Sequence, residues 1–164
     1  MQRIFQRRKK GRTDYLKRKR LLSGKLPRLV FRRTNQYIFA QYVVSHEAQD
    51  KVEITLSSKH LLNYGWPKEL EGSLKSIPAC YLTGRLIGKR ILKEKKKTPI
   101  VDFGIAAPTK KGRAYAFLKG VVDAGVKLSI PKEVFPEEER VKGKNLKKDF
   151  SATFEKIKLS IDKE

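Results

Sequence analysis

Positive charge on this chain is gathered towards one end, and that placement limits what the chain can fold into. The first 33 residues hold 14 of its 39 lysines and arginines against a single acid, Asp14. A segment so charged repels itself and cannot bury its own surface, so it has to lie on the outside of whatever the remainder builds. Phe5, Tyr15, Leu16, Leu21 and Leu22 interrupt it and give it anchors. Hydrophobic residues make up 39% of the 164, enough for one core in a chain of single-domain length. The division that follows is a basic arm with a short helix over residues 1–26, a mixed α/β domain over 27–131, and an extended carboxyl-terminal segment with a tail helix over 132–164.

The formal net charge of +22 also selects a partner. A folded domain with that excess is tolerated when a polyanion neutralises it, and nucleic acid and acidic membrane are the common ones. The membrane reading has little support, because the arm lacks a sustained apolar stripe and no stretch approaches the ~18 apolar residues a bilayer span needs. Cys80 is the single cysteine, which excludes an intrachain disulfide and any thiolate metal cluster. No apolar signal segment follows the cationic start, so a reducing cytoplasm is the expected compartment.

Periodicity sketches the elements. A helix is expected around Tyr15 to Leu22, with Leu16 and Leu21 or Leu22 towards the core and Arg18, Lys19 and Arg20 outward. Leu29 to Arg33 and Tyr37 to Val44 read as a hairpin joined through Thr34-Asn35-Gln36. A third strand places Val52, Ile54 and Leu56 on one face. Leu61 to Leu74, with Gly65, Trp66-Pro67 and Gly72, reads as loop or broken helix. Pro78, with Ser76 as a possible cap, opens a helix in which Cys80, Gly84, Ile87 and Ile91 repeat at helical spacing. Gly84 and Gly88 imply a close neighbour, for which the sheet is the expected one. Pro99 to Ile105 reads as a buried strand and Arg113 to Ala124 as a second helix closed by Gly125. Leu146, Phe150, Phe154, Ile157 and Ile161 mark the tail helix, which would dock on this domain or on a partner protein.

Catalytic constellations are weak. Asp102 with Asp123 is the best candidate for a carboxylate metal site of the phosphodiester-cleaving kind, but Asp102 serves equally as a strand-end acceptor for loop amides, and Asp123 as a helix-end residue. His46 and His60 fall in loops without partners and take no role. Cys80, on an apolar helix face, is a core residue. No metal, cofactor or small-molecule substrate is expected.

The basic and aromatic set is stronger, because arginine forks onto phosphate oxygens, lysine supplies a point charge, and aromatic faces stack on unpaired bases. The arm supplies Arg3, Arg7, Arg8, Lys9, Lys10 and Arg12. The short helix adds Arg18 and Arg20, and the hairpin Arg28, Arg32 and Arg33. Tyr15 and Tyr37 are the candidate stacking residues, each with the alternative of packing against its own domain.

At these residues the chain resembles a known family. Arg12-Thr13-Asp14-Tyr15 before a basic helix, and Pro27-Arg28-Leu29-Val30 with Asn35 in the hairpin, are similar to the large-subunit ribosomal protein family uL18, in its archaeal and eukaryotic branch. Ala79-Cys80-Tyr81-Leu82-Thr83-Gly84, Asp102-Phe103-Gly104-Ile105, and Phe117-Leu118-Lys119-Gly120 with Asp123-Ala124-Gly125 continue the match in order, across about Arg12 to Pro131. The resemblance implies a three-layer mixed sheet of the RNase H-like kind without its catalytic carboxylates. It implies a non-catalytic subunit of the cytoplasmic ribosome that binds 5S rRNA in the central protuberance, with large-subunit rRNA and neighbouring ribosomal proteins as further partners. In the family the arm and the exposed sheet surface grip the RNA, which maps onto Arg3 to Arg20, Thr13 included, and onto Arg28, Arg32, Arg33 and Asn35. Asp14 is expected to orient an arginine or cap a turn.

Overall fold

In the first strand, Leu29 and Phe31 alternate with Arg28, Val30 and Arg32, so a sheet built on it has one apolar face and one face carrying arginine. The computed structural model describes residues 6–47, 49–146 and 150–163. In it β1 (Arg28–Arg33) pairs antiparallel with β2 (Ile38–His46), which pairs antiparallel with β3 (Gln49–Ser57). The three-residue β4 (Ile100–Asp102) lies parallel to β1 on its other side, giving a mixed sheet in the order β3-β2-β1-β4. A parallel neighbour requires a crossover, and here α3 (Ile77–Lys93) supplies it.

The inner face of the sheet, with Leu29, Phe31, Ile38, Ala40, Tyr42, Ile54 and Leu56, is buried against α3. Val52 departs from the expected alternation. Tyr42 pairs with Ile54 but Val43 with Val52, so Glu53 is an extra residue in β3. One extra residue reverses every side chain beyond it, and Val52 is turned to the outer face, 46% exposed. The strand expected over Pro99 to Ile105 also ends early. Gly104, at φ +66°, turns the chain off the sheet and leaves Ile105 exposed.

Ser76 caps α3 by accepting from the Ala79 amide, with Pro78 in the first turn. The helix is buried on nearly all sides because α4 (Arg113–Asp123) crosses its far face. The close neighbour of Gly84 and Gly88 is therefore α4 and not the sheet. A Cβ at Gly84 would overlap the Phe117 carbonyl, one at Gly120 the Tyr81 carbonyl, and one at Gly88 would lie 2.6 Å from Ala124 Cβ. Leu61 to Leu74 does contain broken helix, as two 3₁₀ segments around the buried Trp66.

The tail docks on its own domain. After a short α5 (Glu138–Lys142), α6 (Ser151–Asp162) buries Phe154, Ile157 and Ile161 in the same core. Phe150 lies 4.7 Å from the Trp66 ring centre and Phe154 5.5 Å from Tyr81. Arg85 on α3 grips Asp162 with two hydrogen bonds of 2.8 and 2.7 Å. Leu146, expected within this helix, lies before it and is exposed.

Across the outer face of the sheet runs the third layer, with the four-residue α1 (Gln6–Lys9) and then α2 (Tyr15–Ser23). The short helix falls where the sequence puts it, but its expected core side is weak, with Leu21 and Leu22 only half-buried. No residue of α2 is buried, and Leu16 is 62% exposed.

Candidate nucleic-acid interface

With no residue of α2 fully buried, polar groups take a large share in holding it on the sheet. Asp14 begins the helix as its cap, accepting from the Lys17 amide at 3.0 Å, as its place among basic residues suggested. Lys17 then reaches the Gly104 carbonyl at 2.8 Å, and Arg18 pairs with Asp50 on β3 at 2.9 Å. Two loop-and-strand groups thus latch the arm.

Beneath α2 the outer face carries a buried ion network. Arg28 donates to Asp102 at 2.9 Å, to Asp50 at 2.7 Å and to Ser45 at 3.2 Å, with its side chain 3% exposed. Asp102 also accepts the Gly104 amide at 2.7 Å. Arg32 is held by the Phe31 and Asp102 carbonyls, at 2.9 and 2.8 Å, with Asp102 Oδ1 at 3.5 Å. Its guanidinium lies against Gly104, where a Cβ would crowd it at 3.0 Å. Burial works to raise the Asp50 pKa, but hydrogen bonds from Ser45, Arg28 and Arg18 outweigh it and hold the carboxyl below its ordinary value. Two carboxylates therefore set the positions of three arginines.

The residues singled out from sequence divide into three groups. Arg7, Arg8, Lys9, Lys10, Arg12, Arg20, Arg33 and Asn35 are exposed on the arm and hairpin. Arg18 and Arg32 present part of their surface while paired, and Tyr15 and Thr13 are half-buried, Thr13 accepting from Arg7 Nε at 3.0 Å. Arg28 and Tyr37 are committed internally. Arg28 is enclosed by its carboxylates, and Tyr37 packs on the core while donating to Glu71 at 3.0 Å, which raises its pKa. Arg28 therefore offers no surface for an RNA contact, and Tyr37 is half-buried with its hydroxyl already bonded. Arg3 lies outside the described residues.

Sequence reasoning missed Lys17 and Asp50 as latch residues. A signal was present: Arg28 alternates with core residues inside a strand, and an arginine so placed needs counterions. It also missed Lys75, whose ammonium fastens the hairpin through the Asn35 carbonyl at 2.7 Å.

Asp102 and Asp123 form no metal pair. Asp102 is spent on Arg28 and Gly104, whereas Asp123 closes α4 and accepts from Tyr81 at 2.8 Å. Burial pushes the Cys80 thiol up to about 12, as suits a core residue. Among the described residues no helix is long and apolar enough to cross a membrane.

A family model described as "Ribosomal large subunit proteins 60S L5, and 50S L18" matches residues 1–100. The chain belongs to that family. The protein named large ribosomal subunit protein uL18 in Korarchaeum cryptofilum is 42% identical over 87% of this chain and 71% of its own length. The proteins of the same name in Methanothrix thermoacetophila and Methanoculleus marisnigri are 42% and 38% identical, over 85% and 98% of this chain and 80% and 93% of theirs. The family is one of structural proteins of the cytoplasmic ribosome's large subunit, not of enzymes.

Proposed function

We propose that this chain binds 5S rRNA and fastens it to the central protuberance of the large ribosomal subunit, meeting large-subunit rRNA and neighbouring ribosomal proteins there. The observation that carries the reading is the latched arm. Lys17 and Arg18 are spent holding α2 on the sheet, while Arg7, Arg8, Lys9, Lys10, Arg12 and Arg20 stay exposed around it and Arg33 stands at the hairpin. An arm held in place presents its cations in a fixed pattern and loses less entropy on meeting an RNA of matching shape. Affinity then comes from phosphate neutralisation. Specificity comes from the shape of the folded RNA, because duplex RNA hides its base edges in a deep, narrow groove.

The test is a competition titration of the full chain between 5S rRNA and a length-matched unrelated structured RNA at several salt concentrations. Overall affinity falls steeply with salt, and the reading requires that the preference for 5S rRNA persist. Equal binding to both RNAs that vanishes with salt overturns it.

A further inference from the structure

Where β1 and β4 end, the chain leaves a second concavity, a groove of about 790 Å³ between the sheet's end and the starts of α3 and α4. That volume is within the range of roughly 300–1,000 Å³ over which pockets enclose small molecules. Five arginines line it, from four separate parts of the fold: Arg12 from the arm, Arg32 and Arg33 from β1, Arg113 from α4 and Arg140 from α5. Among the described residues no carboxylate lines it. Asp102 meets Arg32, and the Glu137 carboxylate acts on Arg140, both from outside the lining, but Arg12, Arg33, Arg113 and Arg140 are exposed and, among the described residues, have no carboxylate within the groove itself.

The floor has a different character. Phe103, Ile77, Pro78 and Ile105 supply apolar surface, and the half-buried Phe103 is held by an edge contact with Phe31 at 6.0 Å, ring planes at 81°. An aromatic floor under a guanidinium rim suits a ligand with a flat apolar part and phosphates on either side. The N-terminus of α4, which Gly112 leaves without a side-chain cap, opens on the same space and adds to its attraction for anions.

We infer that this groove holds a single-stranded stretch of RNA, one unpaired base resting on Phe103 with its flanking phosphates on Arg113, Arg140 and Arg33. This rests on the RNA-binding reading above and extends it to residues outside the arm and hairpin. RNA is favoured over an acidic peptide because Arg12, Arg32 and Arg33 belong both to the groove and to the basic surface of the arm and hairpin. A strand entering the groove continues along the same track.

The probe is a labelled single-stranded RNA hexamer, compared with a 12-base-pair RNA duplex and a hexaglutamate peptide. The variant is Arg113→Ala/Arg140→Ala, two exposed side chains whose loss leaves the core intact. Lys127→Ala/Lys132→Ala is an equal charge loss outside the groove. The groove variant is expected to bind the hexamer about tenfold more weakly and to lower its salt slope by about 1.4, two phosphates at about 0.7 each. Duplex binding should stay within twofold, and the lysine control should change neither selectively. Equal losses on hexamer and duplex, no loss on either, or a loss confined to hexaglutamate would each overturn the proposal. The same variants titrated with 5S rRNA separate the two readings. Groove-dependent hexamer binding without 5S preference ends the 5S assignment alone, and intact 5S preference with groove-independent hexamer binding ends the groove alone.

Discussion

Arg28 and Asp102 lie on neighbouring parallel strands with their charged groups 2.9 Å apart, and both are almost wholly withdrawn from solvent. Removing one partner leaves the other charge buried, at about 3–5 kcal/mol, whereas replacing both with apolar groups of similar volume is often close to neutral. Arg28→Met should lower stability in urea unfolding by that amount, since it leaves the Asp102 carboxylate buried with Arg32 no closer than 3.5 Å, and Arg28→Met/Asp102→Leu should recover most of it. A double variant no more stable than the single one would show that the Gly104 amide, not Arg28, is the partner that matters.

The crossing of α3 and α4 makes a second demand. Gly84→Ala drives a methyl group into the Phe117 carbonyl, a backbone atom that cannot move aside as a side-chain end can. Overpacking of a core costs about 1–3 kcal/mol, and this change should reach the upper part of that range in a denaturation midpoint. Gly72→Ala meets open space, and its midpoint should stay within about 0.5 kcal/mol of the parent. Equal effects would mean that the Phe117 backbone gives way to the added methyl at little cost.

Much of this architecture was legible beforehand, for identifiable reasons. The hairpin, the two central helices and the tail helix declared themselves through periodicity and through Ser76, Pro78 and Gly125, which are local signals. The errors lie where one element meets another. The partner of Gly84 depends on which of two surfaces comes closest, and Val52 faces outward because of one extra residue at Glu53. Leu16 looked like a core anchor because apolar residues on a helix usually face a core, but α2 is held in large part by ions. At the candidate interface the exposed cations of the arm could be named from sequence. The commitment of Arg28 and Tyr37 could not, since their partners Asp102 and Glu71 lie 74 and 34 residues away.

Acid should loosen the tail through Asp162. Hydrogen bonds from Arg85 hold its pKa below the ordinary 3.8, so the folded carboxylate is the weaker base. As pH falls the unfolded chain takes up this proton first. The stabilisation is therefore complete above the unfolded value and is lost as pH falls through the lowered folded one. Melting temperatures of the parent and Asp162→Asn should differ most near neutrality and converge below about pH 4. A gap independent of pH would assign the effect to packing of α6.

Arg33 and Tyr37 stand at the two ends of one hairpin turn, and the structure gives them different work. The Tyr37 hydroxyl is spent on Glu71 and its ring on the core, whereas Arg33 is exposed. Tyr37→Phe should lower folding stability modestly, through loss of the hydrogen bond to Glu71, while leaving affinity for 5S rRNA within twofold. Arg33→Ala should do the reverse, with stability changed by no more than about 0.5 kcal/mol. Its binding should be weaker, and its salt slope lower by about 0.7–0.9, because one phosphate fewer is neutralised. Filter binding across a salt series, run beside urea titrations of the same preparations, separates the two. Weaker binding by Tyr37→Phe at unchanged stability would instead put this hydroxyl against the RNA.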